Sequence, residues 1–139
     1  VMRHPDTALW QRVLEFFEPN WLQTDAEDFA AIELPPGCTA LPVYRNGTTP
    51  AGSDLPERLL FEGAQSGSGR LADWDEAHGL ARVTEVILAG GLTADNVAAA
   101  VSAVRPWGVD VSSGVERQRG EKDPVKITQF VARVRALVE

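Results

Sequence analysis

The sequence predicts an α/β fold in which a parallel sheet is covered by helices, and three observations predict it. Five short apolar runs, at 21–24, 40–44, 58–61, 85–89 and 108–111, alternate with segments whose apolar residues recur at helical spacing. These runs are apolar rather than alternating, as strands buried on both faces are. Glycines gather after the runs, following Phe61, Ala89 and Val111, whereas turns that precede strands, such as Leu34-Pro35-Pro36-Gly37, contain few. Two parallel architectures fit, a closed barrel and an open doubly wound sheet. In both, ligand loops sit at the carboxyl ends of the strands, so the glycine asymmetry marks one face as the site face.

Each element has its own justification. Leu9, Trp10, Val13, Leu14 and Phe17 predict an amphipathic helix over 7–17, with Asp6 or Thr7 as its cap. The strand at 21–24 leads to a brief helix around 26–32, which Leu34–Gly37 breaks. Pro42 weakens the strand at 40–44, because proline cannot donate to a sheet ladder. Residues 46–54 read as loop, and the strand at 58–61 ends at Glu62 and a glycine-rich turn. A helix over 74–81 and a strand at 85–89 follow. Thr93 caps a helix with Val97, Ala100, Val101 and Val104 on one stripe. The strand at 108–111 is the last. Asp123 as cap and Pro124 at the first helical position open a final helix, with Ile127, Phe130, Val131, Val134 and Val138 facing inward.

Composition excludes several classes. The 139 residues are one domain's worth and long enough to bury a substantial core. A net charge of −7 argues against nucleic acid, which needs a basic face. A small anion remains compatible, since a few backbone amides can hold it locally. The single cysteine, Cys38, excludes a disulfide framework and a thiolate metal cluster, and fits a reducing cytoplasm. No apolar run approaches the roughly 18 residues that span a bilayer, so no membrane role is expected. The chain opens Val-Met-Arg-His-Pro-Asp and reads as a piece of a longer polypeptide.

The segment 108–116, Gly-Val-Asp-Val-Ser-Ser-Gly-Val-Glu, runs from an apolar strand into a sharp turn at Ser112, Ser113 and Gly114. Such a strand end leaves backbone N–H groups pointing outward, the geometry that holds a phosphate. A second strand end of this kind carries Gly90 and Gly91. Two on one face favour an anion site over plain turn glycines.

These two blocks, with the Lys122-Asp123 pair, the final helix, and Gly67–Gly69 followed by Asp73-Trp74, resemble the carboxyl-terminal portion of the phosphoribosylanthranilate isomerases of tryptophan biosynthesis. The resemblance weakens upstream of about Arg58. It implies a (β/α)₈ TIM barrel, with this chain supplying strands three to eight as a single, amino-terminally incomplete domain. It implies an Amadori rearrangement of N-(5-phosphoribosyl)anthranilate to a 1-deoxyribulose product, with no metal or organic cofactor. The partner would be a phosphorylated small molecule, and the complete protein a cytoplasmic monomer.

By resemblance, Glu62 takes the place of the family's general acid, an aspartate at the end of strand six. The general base, a cysteine on strand one, and an anthranilate-holding arginine on strand two are not in this sequence. Cys38 cannot substitute, because it precedes a strand and so lies on the opposite face. The substrate phosphate would rest on Gly90, Gly91, Ser112, Ser113 and Gly114, with Gly67, Ser68 and Gly69 closing nearby. Asp110 would face the site and contact the anthranilate amine. Where the family shows Gln-Leu-His-Gly, this chain has Gln23-Thr24-Asp25-Ala26.

Plainer readings stand beside these. Glu62 could be a solvated carboxylate at a loop start, and Asp110 could be held by a buried hydrogen bond. His4 and His78 read as ordinary surface or helix-start residues, the four tryptophans as core and rim packing, and Arg117, Arg119, Glu121 and Lys122 as a solvated loop. Two other functions compete: a related phosphate-binding barrel enzyme, such as an indole-glycerol-phosphate synthase or a pentose-phosphate epimerase, and a non-catalytic anion-binding fragment. The barrel enzymes would need a lysine or metal-binding histidines at strand ends, which the sequence does not offer.

Overall fold

The computed structural model describes residues 1–50, 54–63 and 72–137. Gly67, Ser68, Gly69 and Val138 lie outside the described residues. The chain runs α1 (Thr7–Phe17), β1 (Trp21–Asp25), a 3₁₀ turn (Ala26–Ala30), β2 (Thr39–Arg45), β3 (Arg58–Glu62), α2 (Trp74–Ala81), β4 (Glu85–Leu88), α3 (Val97–Val104) and β5 (Gly108–Val109). A second 3₁₀ turn (Ser113–Val115), a hairpin of β6 (Glu116–Gln118) and β7 (Glu121–Lys122), and α4 (Pro124–Arg135) complete it.

Strands β1 to β5 form one parallel sheet in sequence order. Five strands, not six, are paired among the described residues. Residues before α1 add one further bond on the outer edge of β1, from Met2 N to Gln23 O at 2.8 Å. Pro42 sits inside β2, opposite Thr24, without ending the strand.

The sheet is covered on one face by helices and curls around its other face. Leu59, Phe61, Val86 and Leu88 are fully buried against Ala77, Val97, Ala100 and Val104 of the helices. Each such Leu, Val or Phe contributes about 1.5–3 kcal/mol on burial. Adjacent residues of a strand point to opposite faces, and Leu41, Val43, Leu60, Ile87 and Ala89 form a separate cluster inside the curl. Its tightness shows at the amino-terminal strand ends. The Arg58 guanidinium from β3 lies 4.4 Å from the ring centre of Trp21 on β1 and 3.8 Å from that of Trp107 just before β5. In a flat sheet, strands four places apart stand about 19 Å apart. One guanidinium stacked on both rings fits a sheet bent into an arc.

Capping explains where the helices start. Asp6, Asp73 and Asp123 accept backbone N–H groups of the first turns of α1, α2 and α4, and Pro124 follows Asp123. Thr93 does not cap α3. A turn at 94–96 intervenes, and Asn96 is the cap residue, its side chain folded back onto Thr93 N at 2.8 Å and Gly91 O at 2.9 Å. The apolar stripes are also narrower than their spacing predicts. Phe17 is 77% exposed, and Leu9, Ile127 and Val131 are exposed too, leaving Trp10 and Phe130 as the buried anchors of α1 and α4.

Candidate functional site

A cavity of about 410 Å³ opens at the carboxyl ends of the strands, within the usual size of a small-molecule site. Every described residue expected from the sequence lines it: Glu62 from β3, Gly90 and Gly91 after β4, and Asp110, Ser112, Ser113 and Gly114 after β5. The sheet ladder ends with Ala89 N on Phe61 O and Asp110 N on Leu88 O, at 2.8 and 2.9 Å. Beyond those bonds both chains turn. Gly90 and Gly91 have φ of +89° and +69°, which a side chain would strain. Gly114 needs its missing Cβ for another reason, since its backbone packs directly on the Leu92 carbonyl. The two loops therefore interlock.

Lys122 is exposed, as expected, but it lies in a short strand rather than a loop and also lines the cavity. Residues 116–122 fold back as the β6–β7 hairpin, bringing the Lys122 ammonium to Ser112 O at 2.9 Å, Ser112 Oγ at 3.0 Å and Glu116 Oε1 at 2.8 Å. A lysine next to the expected anion loop places a positive charge beside it. The Lys122 hydrogen bond, with the Gly120 N–H, holds the Glu116 pKa below its ordinary value. Asp110 stays solvent-accessible inside the concavity. Partial desolvation by the surrounding walls nonetheless pushes its pKa up, against the pull of Lys122.

Glu62 is buried at the end of β3, and it is not a solvated carboxylate. Its Oε1 lies 2.8 Å from Nη2 of Arg45, whose Nη1 pairs with Oδ1 of Asp25. Asp25, Arg45 and Glu62 thus form one charged row across the ends of β1, β2 and β3. Burial would lower the Arg45 pKa, but hydrogen bonding to Asp25 and the charges of Asp25 and Glu62 raise it above the ordinary arginine value. Neither Arg45 nor Asp25 was expected from the sequence as a site residue. The period-two spacing 41, 43, 45 was the available signal for Arg45.

His4 is more than a surface residue. Its Nε2 lies 3.1 Å from Asp25 Oδ2 and its Nδ1 3.1 Å from Asp28 Oδ1, so it ties the first residues to the end of β1. Burial acts to raise the Asp28 pKa, but the Thr24 hydroxyl and His4 outweigh it and hold it below the ordinary value. Cys38 lies in the turn ahead of β2, away from the cavity, as expected.

Comparison with known proteins fits this geometry. Residues 46–133 match the family described as N-(5'phosphoribosyl)anthranilate (PRA) isomerase. The chain belongs to that family. A curated isomerase from Azorhizobium caulinodans is 38% identical across 95% of this chain and 65% of its own length. One from Pelobacter propionicus is 57% identical over 49% of this chain. That match spans 32% of the Pelobacter protein, and the chain spans less than two thirds of the curated relatives' length. Among solved family structures, TrpF from Jonesia denitrificans is 34% identical, with a TM-score of 0.75 over 98% of this chain and 69% of its own. The Thermus thermophilus isomerase gives 0.75 at 28% identity, covering 97% and 70%. The family model spans the stretch from Asn46 to Arg133, which carries Glu62, both glycine loops and Lys122. The charged row reaches back to Asp25, outside that stretch.

Proposed function

We propose that the protein containing this chain isomerises N-(5-phosphoribosyl)anthranilate by an Amadori rearrangement, and that β1 to β5 are part of a (β/α)₈ barrel whose earlier strands complete the site. The observation that carries the reading is the convergence on one cavity of Glu62, the Gly90-Gly91 and Ser112–Gly114 loops, and Lys122. The phosphate rests on the two loops, with Lys122 offsetting its charge. Glu62, as general acid, gives a proton to the sugar ring oxygen while the C1–O bond breaks and the nitrogen lone pair forms a C=N bond. A base then takes the proton from C2, and the electron pair moves to give an enolamine that becomes the ketone. The family's base is a strand-one cysteine, so turnover needs residues beyond those of this chain. Asp110 stands within the cavity where it can meet the anthranilate amine. The loops come from one chain, which favours a working monomer. A phosphorylated sugar does not cross a bilayer unaided, which favours the cytoplasm.

The deciding experiment is conversion of N-(5-phosphoribosyl)anthranilate by the full-length natural protein, followed by product chromatography. Turnover lost on Glu62→Gln supports the reading. Absence of turnover, with a phosphate-bearing analogue still bound, would favour a non-catalytic anion-binding role.

A further inference from the structure

The charged row at the strand ends suggests how a glutamate can serve where the family has an aspartate. Building on the isomerase reading, we infer that Arg45 is a positioning residue that fixes the Glu62 carboxyl in place, with Asp25 as its anchor, and that this positioning outweighs the pull of the guanidinium toward the ionised carboxylate. Two departures from the family pattern, Asp25 in the Gln23-Thr24-Asp25-Ala26 segment and Glu62 in place of aspartate, are the two carboxylates that Arg45 joins. Glutamate carries one more rotatable bond than aspartate, so its carboxyl wanders unless something fixes it. Misplacement by about 1 Å costs about 10²-fold in rate.

Arg45 is built to prevent that. It is the register partner of Glu62 on the neighbouring strand and grips Oε1 at 2.8 Å. Its side chain is only 20% exposed, and the Asp25 side chain is 2% exposed. The backbone of Arg45 is pinned as well: Arg45 N donates to Thr48 Oγ1, and Thr48 N and Oγ1 both donate to Arg45 O, all at 2.9 Å. Glu76 of α2 then holds the following loop through Gly47 N and Thr49 Oγ1. Joining carboxylates on two strands requires the planar fork of arginine, which the point charge of lysine does not offer.

The test uses the full-length natural protein. Arg45→Gln should lower kcat by about 10²-fold, while KM stays within about threefold because the phosphate grip is untouched. Arg45→Lys should fall between the two. In Arg45→Ala, added guanidinium ion should restore part of the lost kcat, and urea, uncharged but similar in shape, should not. Unchanged kcat in Arg45→Gln, or no rescue by guanidinium, would overturn the proposal. A second measurement works without catalysis: the Tm shifts of Arg45→Gln, Glu62→Gln and the double variant should be non-additive. Additive shifts would overturn the Arg45–Glu62 coupling. A wild-type protein that turns over no substrate but shows non-additive shifts would sink the isomerase reading and keep the pair.

Discussion

Gly114 packs directly against the backbone carbonyl of Leu92: a Cβ added at Gly114 would overlap that oxygen and stand 2.9 Å from its carbon and 3.2 Å from Val111 Cγ2. The obstacle is backbone, which cannot rotate aside. Gly114→Ala should therefore destabilise the protein by about 1–3 kcal/mol, as overpacking does. Gly114→Val should also push apart the two loops of the anion site and weaken binding of a phosphate-bearing analogue. Urea unfolding and calorimetric titration measure the two effects, and an unchanged affinity would remove Gly114 from the site.

Glu62→Gln keeps shape and hydrogen-bonding capacity but removes the transferable proton. Turnover should drop by about 10²–10⁴-fold, the usual worth of a general acid, while affinity for a phosphate-bearing analogue stays nearly constant. Steady-state kinetics of the full-length protein decide the first point and titration the second. Undiminished turnover would exclude Glu62 from the mechanism.

Glu62 was legible through the family resemblance and its place at a strand end, and the two glycine loops because glycine placement is a local signal. The same holds for the strands, most of whose limits moved by a residue or two. Lys122 was not legible, because it reaches Ser112 through a hairpin whose short strands, 116–118 and 121–122, carry too few residues for any period to show. Arg45 and Asp25 were hidden for a different reason. They sit on separate strands, and only the parallel register from β1 through β3 brings their charges together. The narrow stripes of α1 and α4 follow similar logic, since spacing states which residues share a face and not how much of that face finds a partner.

Lys122 offers the clearest test of the anion site. Lys122→Met removes its positive charge from Ser112 and leaves Glu116 without its ammonium partner. Affinity for a phosphate-bearing ligand should fall about tenfold, equivalent to about 1.4 kcal/mol. Lys122→Arg should retain most of it. The salt dependence of binding should flatten in the methionine variant, because one screened charge has gone. Titration at two ionic strengths reads both effects, and equal affinity would return Lys122 to a structural role in the hairpin.

Asp110 gives a pH signature whose sign is fixed by desolvation. Its pKa is raised in the folded protein, so between the unfolded value of about 3.9 and the folded value the native state binds the extra proton. Stability from this group therefore falls as pH rises through that window, and the penalty is complete above it. Asp110→Asn never ionises and should have a higher Tm than the wild type at neutral pH. The difference should shrink on acidification and vanish below about pH 3.9. Tm measured for both proteins across that range checks it, and a variant less stable at neutral pH would mean that Asp110 makes a stabilising contact as a carboxylate.

The Arg58 sandwich predicts an effect confined to stability. Trp21 and Trp107 meet Arg58 at the amino-terminal strand ends, the face opposite the cavity, and Arg58 also donates from Nε to Glu85 Oε2 at 2.7 Å. In barrels that face serves stability and the carboxyl-terminal face serves chemistry. A partly exposed cation–π contact contributes about 0.5–2 kcal/mol, and Trp107→Ala removes the nearer ring together with its packing. Loss of about 1–2 kcal/mol in urea unfolding is expected, with affinity for a phosphate-bearing analogue unchanged at temperatures where the variant is folded. Trp107→Phe keeps a ring over Arg58 and should recover part of the loss. A fall in affinity without a fall in stability would contradict this separation, because it would show the two ends of the strands to be coupled.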